Sequence, residues 1–300
     1  MKPVLCSRQM FNAGQLRFLK RMSGYLPLLL VTFLAQNQTQ VQYEVTNRET
    51  IEMRLKDYQG KDSQREATLE RFFEESGCNK DKLSEQQPVK HLKEPNLICT
   101  LPGQTDSVIL VGAHFDHVTA GDGVADNWSG ASLLPSLFYS LRNQPHHCTF
   151  LFVEFAGEEQ GLVGSQYYTK QLSPEQRARI KAMINLDTLG LTPTKVWVSH
   201  ADRELLVLLE RVARRLDLPL AGVNVDGVGT ADSESFAKFN IPRITIHSVT
   251  QETMPILHSK RDRLDAINMD TYYSSYRLLA AYLAVLDSQL GQSTVPAPAH

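Results

Sequence analysis

Two adjacent carboxylates, Glu158 and Glu159, stand in the stretch EFAGEEQGLVGS, between an apolar run and a pair of glycines. Neighbouring side chains point to opposite faces of a strand and lie about 100° apart around a helix. The two glutamates therefore cannot perform the same task in the same place. The pattern leaves two interpretations open: two different chemical tasks, or ordinary surface charge.

Imidazole and carboxylate side chains follow several apolar runs, either directly at a predicted strand end or in the loop beyond it. In chain order, the residues that carry these side chains are His114, Asp116, Asp126, Glu158, Glu159, Asp187 and His258. Ligands of open α/β sheets bind beyond the carboxyl ends of the strands, so we expect these side chains to converge at one edge of a sheet. A mixture of imidazole nitrogens and carboxylate oxygens suits zinc, or cobalt and manganese in related sites.

Five of these side chains are candidate metal ligands. They are His114, Asp126, Glu159, Asp187 and His258. A single tetrahedral catalytic zinc takes only three protein ligands, whereas five suffice for two metals if one carboxylate bridges them. Two metals roughly 3.5 to 4 Å apart can activate a shared water and polarise a carbonyl.

The two remaining carboxylates are expected to support that chemistry. If Glu159 turns toward a metal, Glu158 points elsewhere and can take a proton from the water, then return it to a departing amine. Asp116 lies two residues from His114, on the same side of an extended chain. It can therefore hold that imidazole in the tautomer that leaves the other nitrogen for a metal.

These groups need a scaffold, and the chain is large enough to supply one. With 300 residues, 42% of them apolar, the composition is that of a globular protein with a sizeable core. The net charge of −2 and scattered Lys and Arg residues give no basic stripe, which argues against nucleic acid as a partner. Four cysteines without CxxC spacing encode no zinc knuckle, and Cys99 and Cys148, in apolar runs, are expected to be buried free thiols.

Apolar, β-branched runs alternate with helical patterns along most of the chain. Strands are predicted at residues 96–101, 108–113, 149–155, 182–186, 195–199 and 243–248. Helices are predicted at residues 46–58, 63–75, 129–141, 162–171, 173–181, 203–216, 234–239 and 271–290, with Ser173 and Asp270 as caps of the fifth and last. Several strands are apolar almost throughout, as expected when helices cover both faces. The pattern predicts an α/β three-layer sandwich with a mostly parallel central sheet flanked by helices.

The two ends of the chain differ from this central domain, which we assign to residues 37–290. Lys20 and Arg21 precede an apolar run at 25–35 that is too short to span a bilayer, and polar sequence follows. That order resembles a secretory signal, so residues 1–36 are predicted to be a signal peptide or leader of a secreted or periplasmic protein. The alternative is an N-terminal helix packed on the core of a cytoplasmic protein. Residues 291–300 are predicted to be a disordered tail.

Five segments that carry the candidate ligands together resemble the co-catalytic zinc exopeptidases, a family that includes secreted bacterial aminopeptidases, glutamate carboxypeptidase II and glutaminyl cyclases. They are HFD at 114, GVADNWSGA at 123, FAGEEQGLVGS at 155, INLDTLG at 184 and ILHSKRDRLD at 256. The segment SESFAKFNIPRITIH resembles the part of the family that shapes the pocket. The resemblance covers about residues 90–290, with the motifs in the family's order.

The resemblance implies two Zn²⁺ per chain, with His114, Asp126 and Asp187 on one ion and Asp126, Glu159 and His258 on the other. It makes Asp126 the bridge, Glu158 the general base and Asp116 the partner of His114, and it implies a cis peptide bond after Asp126. The leading functional prediction is an aminopeptidase that hydrolyses N-terminal peptide bonds. Glutaminyl cyclisation with one zinc and carboxypeptidase or dipeptidase action are the alternatives, and a non-catalytic binding ectodomain ranks last.

Two departures from the family leave details open. Leu257 stands where some family aminopeptidases have a tyrosine that stabilises the tetrahedral intermediate, so Tyr272, Tyr273 or a backbone N–H are the candidate substitutes. Ala231-Asp232-Ser233 stands where many members have His after Ser-Asp, which leaves the substrate preference open. Among the other histidines, His200 is expected to be structural or solvated, and His247 to lie in the core or behind the site.

Overall fold

The computed structural model describes residues 41–86, 92–227 and 229–293. The predicted leader at 1–36 and residues 294–300 of the predicted tail lie outside this part of the chain. Within it the strands are β1 Leu83–Gln86, β2 Asn96–Leu101, β3 Val108–His114, β4 Thr149–Phe155, β5 Ile180–Leu186, β6 Lys195–Val196, β7 Ala221–Gly222 and β8 Arg243–His247. The helices are α1 Arg48–Lys56, α2 Asp62–Glu75, α3 Ser129–Ala131, α4 Leu134–Leu141, α5 Val163–Gln171, α6 Pro174–Arg179, α7 Arg203–Leu216, α8 Ser233–Ala237 and α9 Met269–Ser293.

All the described strands join one mixed sheet in the order β1-β2-β4-β3-β5-β8-β6-β7. The central strands β4, β3, β5 and β8 are parallel to one another. On one side β1 and β2 pair antiparallel, and β2 is antiparallel to β4, whereas on the other side β6 is antiparallel to β8 and parallel to β7. The predicted α/β sandwich with a mostly parallel centre is confirmed. Because the central strands are parallel, their carboxyl ends open on one edge of the sheet.

The sheet is buried on both faces, as its apolar strands predict. On β3, Val111 faces the larger apolar cluster, which includes Phe72 and Trp128, whereas Leu110 faces a smaller cluster with Tyr168 and Phe236. Two helical layers therefore enclose the sheet.

The structure departs from the sequence-based elements mostly at sheet edges and helix starts. The strand predicted at 195–199 ends after Val196 and gives way to a 3₁₀ turn at Val198–His200. The helix predicted at 129–141 is two helices, α3 and α4, preceded by a wide turn at Val124–Trp128. The short edge strands β1 and β7 have no marked apolar pattern and were not predicted.

Two local predictions are wrong. Asn268, not Asp270, caps α9, because its side-chain oxygen accepts hydrogen bonds from the amides of Asp270 and Thr271, both at 3.0 Å. Cys99 is not a free thiol but forms a disulfide with Cys78, which follows the end of α2, while Cys148 is free and buried. The capping box of Ser173 and Gln176 on α6 is present as predicted.

The last helix continues to Ser293, so residues 291–293 are helical rather than part of a disordered tail. No helix in the described ranges combines the length and apolar composition that crossing a bilayer needs.

Candidate metal centre

Three neighbouring parallel strands deliver the first groups of the site. His114 is the last residue of β3, Glu158 and Glu159 lie in the turn after β4, and Asp187 follows β5. Since β3 lies between β4 and β5, their carboxyl ends bring these side chains to one point of the sheet edge. Asp126, in the wide turn before α3, and His258, after the 3₁₀ turn Met254–Ile256, complete the site from two loops.

The five candidate ligands form two groups that share one carboxylate. Asp126 Oδ1 lies 3.3 Å from His114 Nε2, and Asp126 Oδ2 lies 3.2 Å from His258 Nε2. On the first side Asp187 Oδ1 is 3.9 Å from His114 Nε2, and on the second Glu159 Oε2 is 3.1 Å from His258 Nε2. Within each group the potential ligand atoms all lie within 4.8 Å of one another. Either group could hold a cation, with Asp126 between them.

The turn that presents Asp126 is anchored by a buried carboxylate. Asp262 accepts hydrogen bonds from the amides of Ala125 (2.6 Å) and Asp126 (3.1 Å). Asp262 follows His258 by four residues, so the same segment supplies one ligand and holds the turn of another. The only sequence signal for Asp262 is this short spacing from His258.

The same turn is tied to the strand end that carries Asp187. The Asp126–Asn127 peptide bond is cis, as the family resemblance implies. The Asn127 side chain donates to the carbonyl of Leu186 at 2.8 Å and accepts from the amide of Thr188 at 3.1 Å. These bonds fix Asp126 relative to Asp187, which lies between the two contacted residues.

Arg65 on α2 supports both loops around the turn, and no sequence signal pointed to it. Its guanidinium is fully buried and donates to the carbonyl oxygens of Gln59 (2.8 Å), Phe115 (3.1 Å) and Asp122. It also lies over the ring of Trp128, 5.6 Å from the centroid. The N-terminal helices therefore brace the chain just beyond His114 and just before Asp126.

Asp116 contacts both His114 and the two glutamates. His114 Nδ1 lies 3.2 Å from the carbonyl and 3.6 Å from the carboxylate of Asp116, so Nε2 faces the ligand cluster. The two carboxylate oxygens of Asp116 accept hydrogen bonds from the backbone amides of Glu158 (3.0 Å) and Glu159 (3.1 Å). Asp116 thus contacts the His114 ring, chiefly through its backbone carbonyl, and shapes the turn that separates the two glutamates.

The site carries more carboxylates than its two imidazoles can neutralise. Burial raises the pKa of Glu158 to about 10, of Glu159 to about 7 and of Asp187 to about 6, and neighbouring carboxylates add to each rise. The hydrogen bond to Asp126 raises the pKa of His258 to about 9. Glu159 Oε1 is buried and has no hydrogen-bond partner in the described part of the chain. An acidic, partly unpartnered set of nitrogen and oxygen donors fits divalent cations, whose charge offsets the cost of burying these anions.

His258 also has an unusual backbone conformation, with a φ of 54°. Left-handed φ values are uncommon for residues other than glycine and tend to occur at functional sites. In this conformation the imidazole of His258 reaches Asp126 and Glu159.

The two tyrosines considered for the site do not reach it, and neither does the nearby His117. The Tyr272 hydroxyl, fully buried, donates to the carbonyl of Ser129, and the Tyr273 hydroxyl donates to the carbonyl of Thr46. Neither tyrosine lines the cavity, so of the proposed substitutes for the family's tyrosine only a backbone N–H is left. His117 pairs with Asp62 at 3.0 Å instead of facing the ligands.

A cavity of about 270 Å³ opens beside the ligands. Besides the ligands and Glu158, its lining is mainly apolar. This apolar wall includes Trp197, Val225, Ala231, Val249, Met254 and Leu257, with Thr188, Thr230, Thr245 and His247 as polar neighbours. Much of this lining comes from the loop segments 229–231 and 254–257. His247 donates from Nε2 to the carbonyl of Val223 and accepts at Nδ1 from the amide of Val249.

Known proteins resemble this chain over the region that carries the site. The sequence profile of peptidase family M28 matches residues 96–283. The leupeptin-inactivating enzyme 1 of Streptomyces exfoliatus is 31% identical over 150 residues, which cover 49% of this chain and 34% of that protein. Aminopeptidase YwaD of Bacillus subtilis is 24% identical over 225 residues, or 73% of this chain and 47% of that protein. The chain spans about half or less of the length of the curated relatives it matches.

Solved structures share the fold at low sequence identity. The LapA aminopeptidase of Legionella pneumophila superposes with a TM-score of 0.65 at 22% identity, over 84% of this chain and 78% of that one. A glutaminyl cyclase from an Acidobacteriales bacterium gives a TM-score of 0.71 at 18% identity, over 83% of this chain and 98% of that one.

Proposed function

Because the chain belongs to peptidase family M28, we propose that it is a zinc-dependent aminopeptidase that hydrolyses the first peptide bond of its substrates. The observation that carries this proposal is the position of Asp126, whose two oxygens face His114 on one side and His258 on the other. A carboxylate in that position can serve two cations at once. The names of similar proteins, which include several aminopeptidases, agree with the proposal.

Two zinc ions would be held by the two ligand groups. His114, Asp126 and Asp187 would bind one ion, and Asp126, Glu159 and His258 the other. When bound, the ions would polarise the scissile carbonyl and lower the pKa of a water molecule.

Glu158 is the proposed general base. It lines the same cavity as the ligands, and its neighbour Glu159 is the one that turns toward His258. Its carboxylate would accept a proton from the attacking water and pass it to the nitrogen of the departing amine. Asp116 holds the Glu158 amide and the His114 ring, and so sets the positions of the base and of one ligand together.

The charge of the cavity favours the amino end of a peptide over its carboxyl end. Within the described residues, the cavity is lined by several carboxylates and by no lysine or arginine. A terminal carboxylate finds no cationic side chain to pair with there, and the charge of bound zinc ions would be offset by the carboxylates that hold them. This argues against the carboxypeptidase and dipeptidase alternatives.

Glutaminyl cyclisation is the second candidate, since the structural match covers 98% of the Acidobacteriales glutaminyl cyclase. By family resemblance, cyclisation needs one zinc and no water nucleophile. Here the group of His114, Asp126 and Asp187 is assembled in addition to the group around His258, which favours hydrolysis. The non-catalytic alternative is less favoured still, because the proposed base is present beside a complete ligand set.

We also propose that the protein is exported, with residues 1–36 as leader and one domain at 37–290. The charged and then apolar order of residues 20–35 supports this, as does the Cys78–Cys99 disulfide, because disulfides persist in oxidising compartments. N-terminal sequencing of secreted protein should give a start near residue 36. Soluble cytosolic protein that retains Met1 would contradict export.

Metal analysis beside activity profiling tests the main proposal. Protein equilibrated with zinc would be assayed on aminoacyl-anilides, peptides with N-terminal glutamine, and acidic dipeptides. We expect two zinc ions per chain and hydrolysis of the anilides. One zinc ion with cyclisation of glutamine as the only activity would support the cyclase instead.

A further inference from the structure

We propose that Trp197 is the specificity-determining wall of the cavity and that His200 is the positioning residue that holds it in place. The inference rests on the proposed function, since it concerns the side chain of the N-terminal residue that the aminopeptidase would cleave. The chemical class it selects is a substrate whose first residue is apolar and large enough to contact the indole.

Trp197 lies between the end of β6 and the 3₁₀ turn Val198–His200, and its buried side chain lines the cavity. The indole Nε1 donates to Ser199 Oγ at 3.0 Å. The ring stacks on the imidazole of His200, with the centroids 4.1 Å apart and the planes 14° from parallel. The indole therefore has the cavity on one side and a fixed aromatic support outside it.

His200 is held through both of its ring nitrogens. Nδ1 lies 2.9 Å from Glu234 Oε1, and Nε2 lies 3.0 Å from Asp226 Oδ1. Each N–H that the ring carries therefore faces a carboxylate oxygen, and the two contacts together fix the plane of the ring against the indole.

Both carboxylates are fixed by further contacts. Glu234, on α8, also accepts from Arg243 Nη2 at 3.2 Å, and Arg243 is the first residue of β8. Asp226 also accepts from Ser199 Oγ at 2.9 Å. The His200 ring is thus connected to the sheet through Glu234 and to the cavity loop through Asp226.

The same cluster holds the loop that forms the adjoining wall. Asn224 Oδ1 accepts from the amide of Ser199 at 3.0 Å, and the Val223 carbonyl accepts from His247 Nε2 at 3.0 Å. Val225, which follows these two anchors, lines the cavity beside Trp197. Loss of the His200 contacts would release Trp197 and this loop together, and would widen the apolar part of the cavity.

The consequence for catalysis is a separation of roles within one cavity. The reacting bond would bind at the cluster of candidate ligands, whereas Trp197 belongs to the apolar wall and to neither ligand group. A change at Trp197 or His200 should therefore alter KM and the preference for the first side chain of the substrate, while kcat changes little.

The first arm of the test measures selectivity. For Trp197→Ala we expect the ratio of kcat/KM for leucyl-anilide over alanyl-anilide to fall about tenfold. His200→Gln, which keeps a polar side chain but loses the stacked ring, should also lower this ratio by raising KM for the leucyl substrate, with kcat within about twofold. Asp106→Asn, which breaks an exposed ion pair with Arg179 away from the cavity, is the matched control and should change neither the selectivity ratio nor kcat.

The second arm uses tryptophan fluorescence and does not require turnover. The chain has two tryptophans, so Trp197→Phe identifies the emission of Trp197. The emission of Trp197 depends on the groups that its indole contacts. His200→Phe, which replaces the imidazole by a benzene ring, should therefore change the emission, and free L-leucine should perturb the wild-type emission but not that of Trp197→Phe.

The two arms separate failure of this inference from failure of the proposed function. No peptide hydrolysis together with the expected fluorescence changes would contradict the aminopeptidase activity and leave the coupling of His200 to Trp197 supported. Normal hydrolysis with unchanged selectivity in both Trp197→Ala and His200→Gln would overturn the inference. So would wild-type emission in the folded His200→Phe variant.

Discussion

The ligand cluster and the apolar wall face the same cavity but are held in place in different ways. The ligand cluster lies at the ends of central parallel strands, and bonds between side chains and backbone fix it, as at Asp262 and Asn127. The apolar wall is built by loops at the edge of the sheet, and there side chains such as Trp197 and His200 hold one another. Changes in the first region should affect metal binding and turnover, and changes in the second should affect substrate choice.

The largest expected effect comes from removing the proposed base without disturbing the ligands. In Glu158→Gln the carboxylate that accepts the proton is lost, so kcat should fall by about 10² to 10⁴-fold. Zinc content should match wild type, because Glu158 belongs to neither ligand group. Glu74→Gln, an exposed position on α2, is the control. Undiminished turnover in Glu158→Gln would remove the base assignment.

A pH titration should distinguish the wall from the ligand cluster. Burial of the ring lowers the pKa of His247 from 6.5 to about 4, because the charged form loses its contact with water. The unfolded chain then binds a proton that the folded chain does not, so stability falls as the pH drops from about 6.5 toward 4, by up to about 3 kcal/mol.

The measurement is denaturant unfolding of zinc-free protein at several pH values, for wild type and His247→Gln. The variant should show a shallower loss of stability in acid, and the paired difference cancels the groups common to both proteins. Equal pH dependence of wild type and variant would show that His247 is not a buried neutral group.

A smaller effect should come from the anchor of the Asp126 turn. Asp262→Asn can accept only one of the two amide bonds, so the turn loosens and zinc affinity should fall by about 10 to 100-fold. Asp265→Asn, three residues away and exposed, is a matched control and should bind zinc as wild type does. Competition titration with a chelating dye measures the zinc affinity of both variants. Unchanged affinity in Asp262→Asn would mean that the turn keeps its shape without this carboxylate.

The same comparison explains what could be predicted from the sequence. Strands β2 to β5 and β8 are apolar runs, and imidazole or carboxylate side chains stand at or just after the ends of three of them. The sheet and the ligand cluster can therefore be predicted from local sequence patterns. The supporting residues cannot, because their contacts join distant parts of the chain. Asp262 holds amides 136 and 137 positions away, and Arg65 contacts a carbonyl 50 positions away.

The apolar wall was less predictable for a related reason. From the sequence, His200 is expected only to be structural or solvated. Its carboxylate partner Glu234 lies 34 positions further along the chain, so no local pattern indicates the contact. The disulfide was missed likewise, since pairing of Cys78 with Cys99 depends on how the end of α2 packs against β2. Periodicity identifies elements and strand ends, but it does not show which side chains meet when edge loops pack.

Zinc binding by Asp126→Ala tests most directly whether one carboxylate serves both ligand groups. Equilibrium dialysis with metal analysis would compare it with wild type and with Asp187→Ala, which removes a ligand from one group only. We predict two zinc ions for wild type, one for Asp187→Ala, and weakened binding at both positions in Asp126→Ala. Retention of either ion by Asp126→Ala at wild-type affinity would contradict the account.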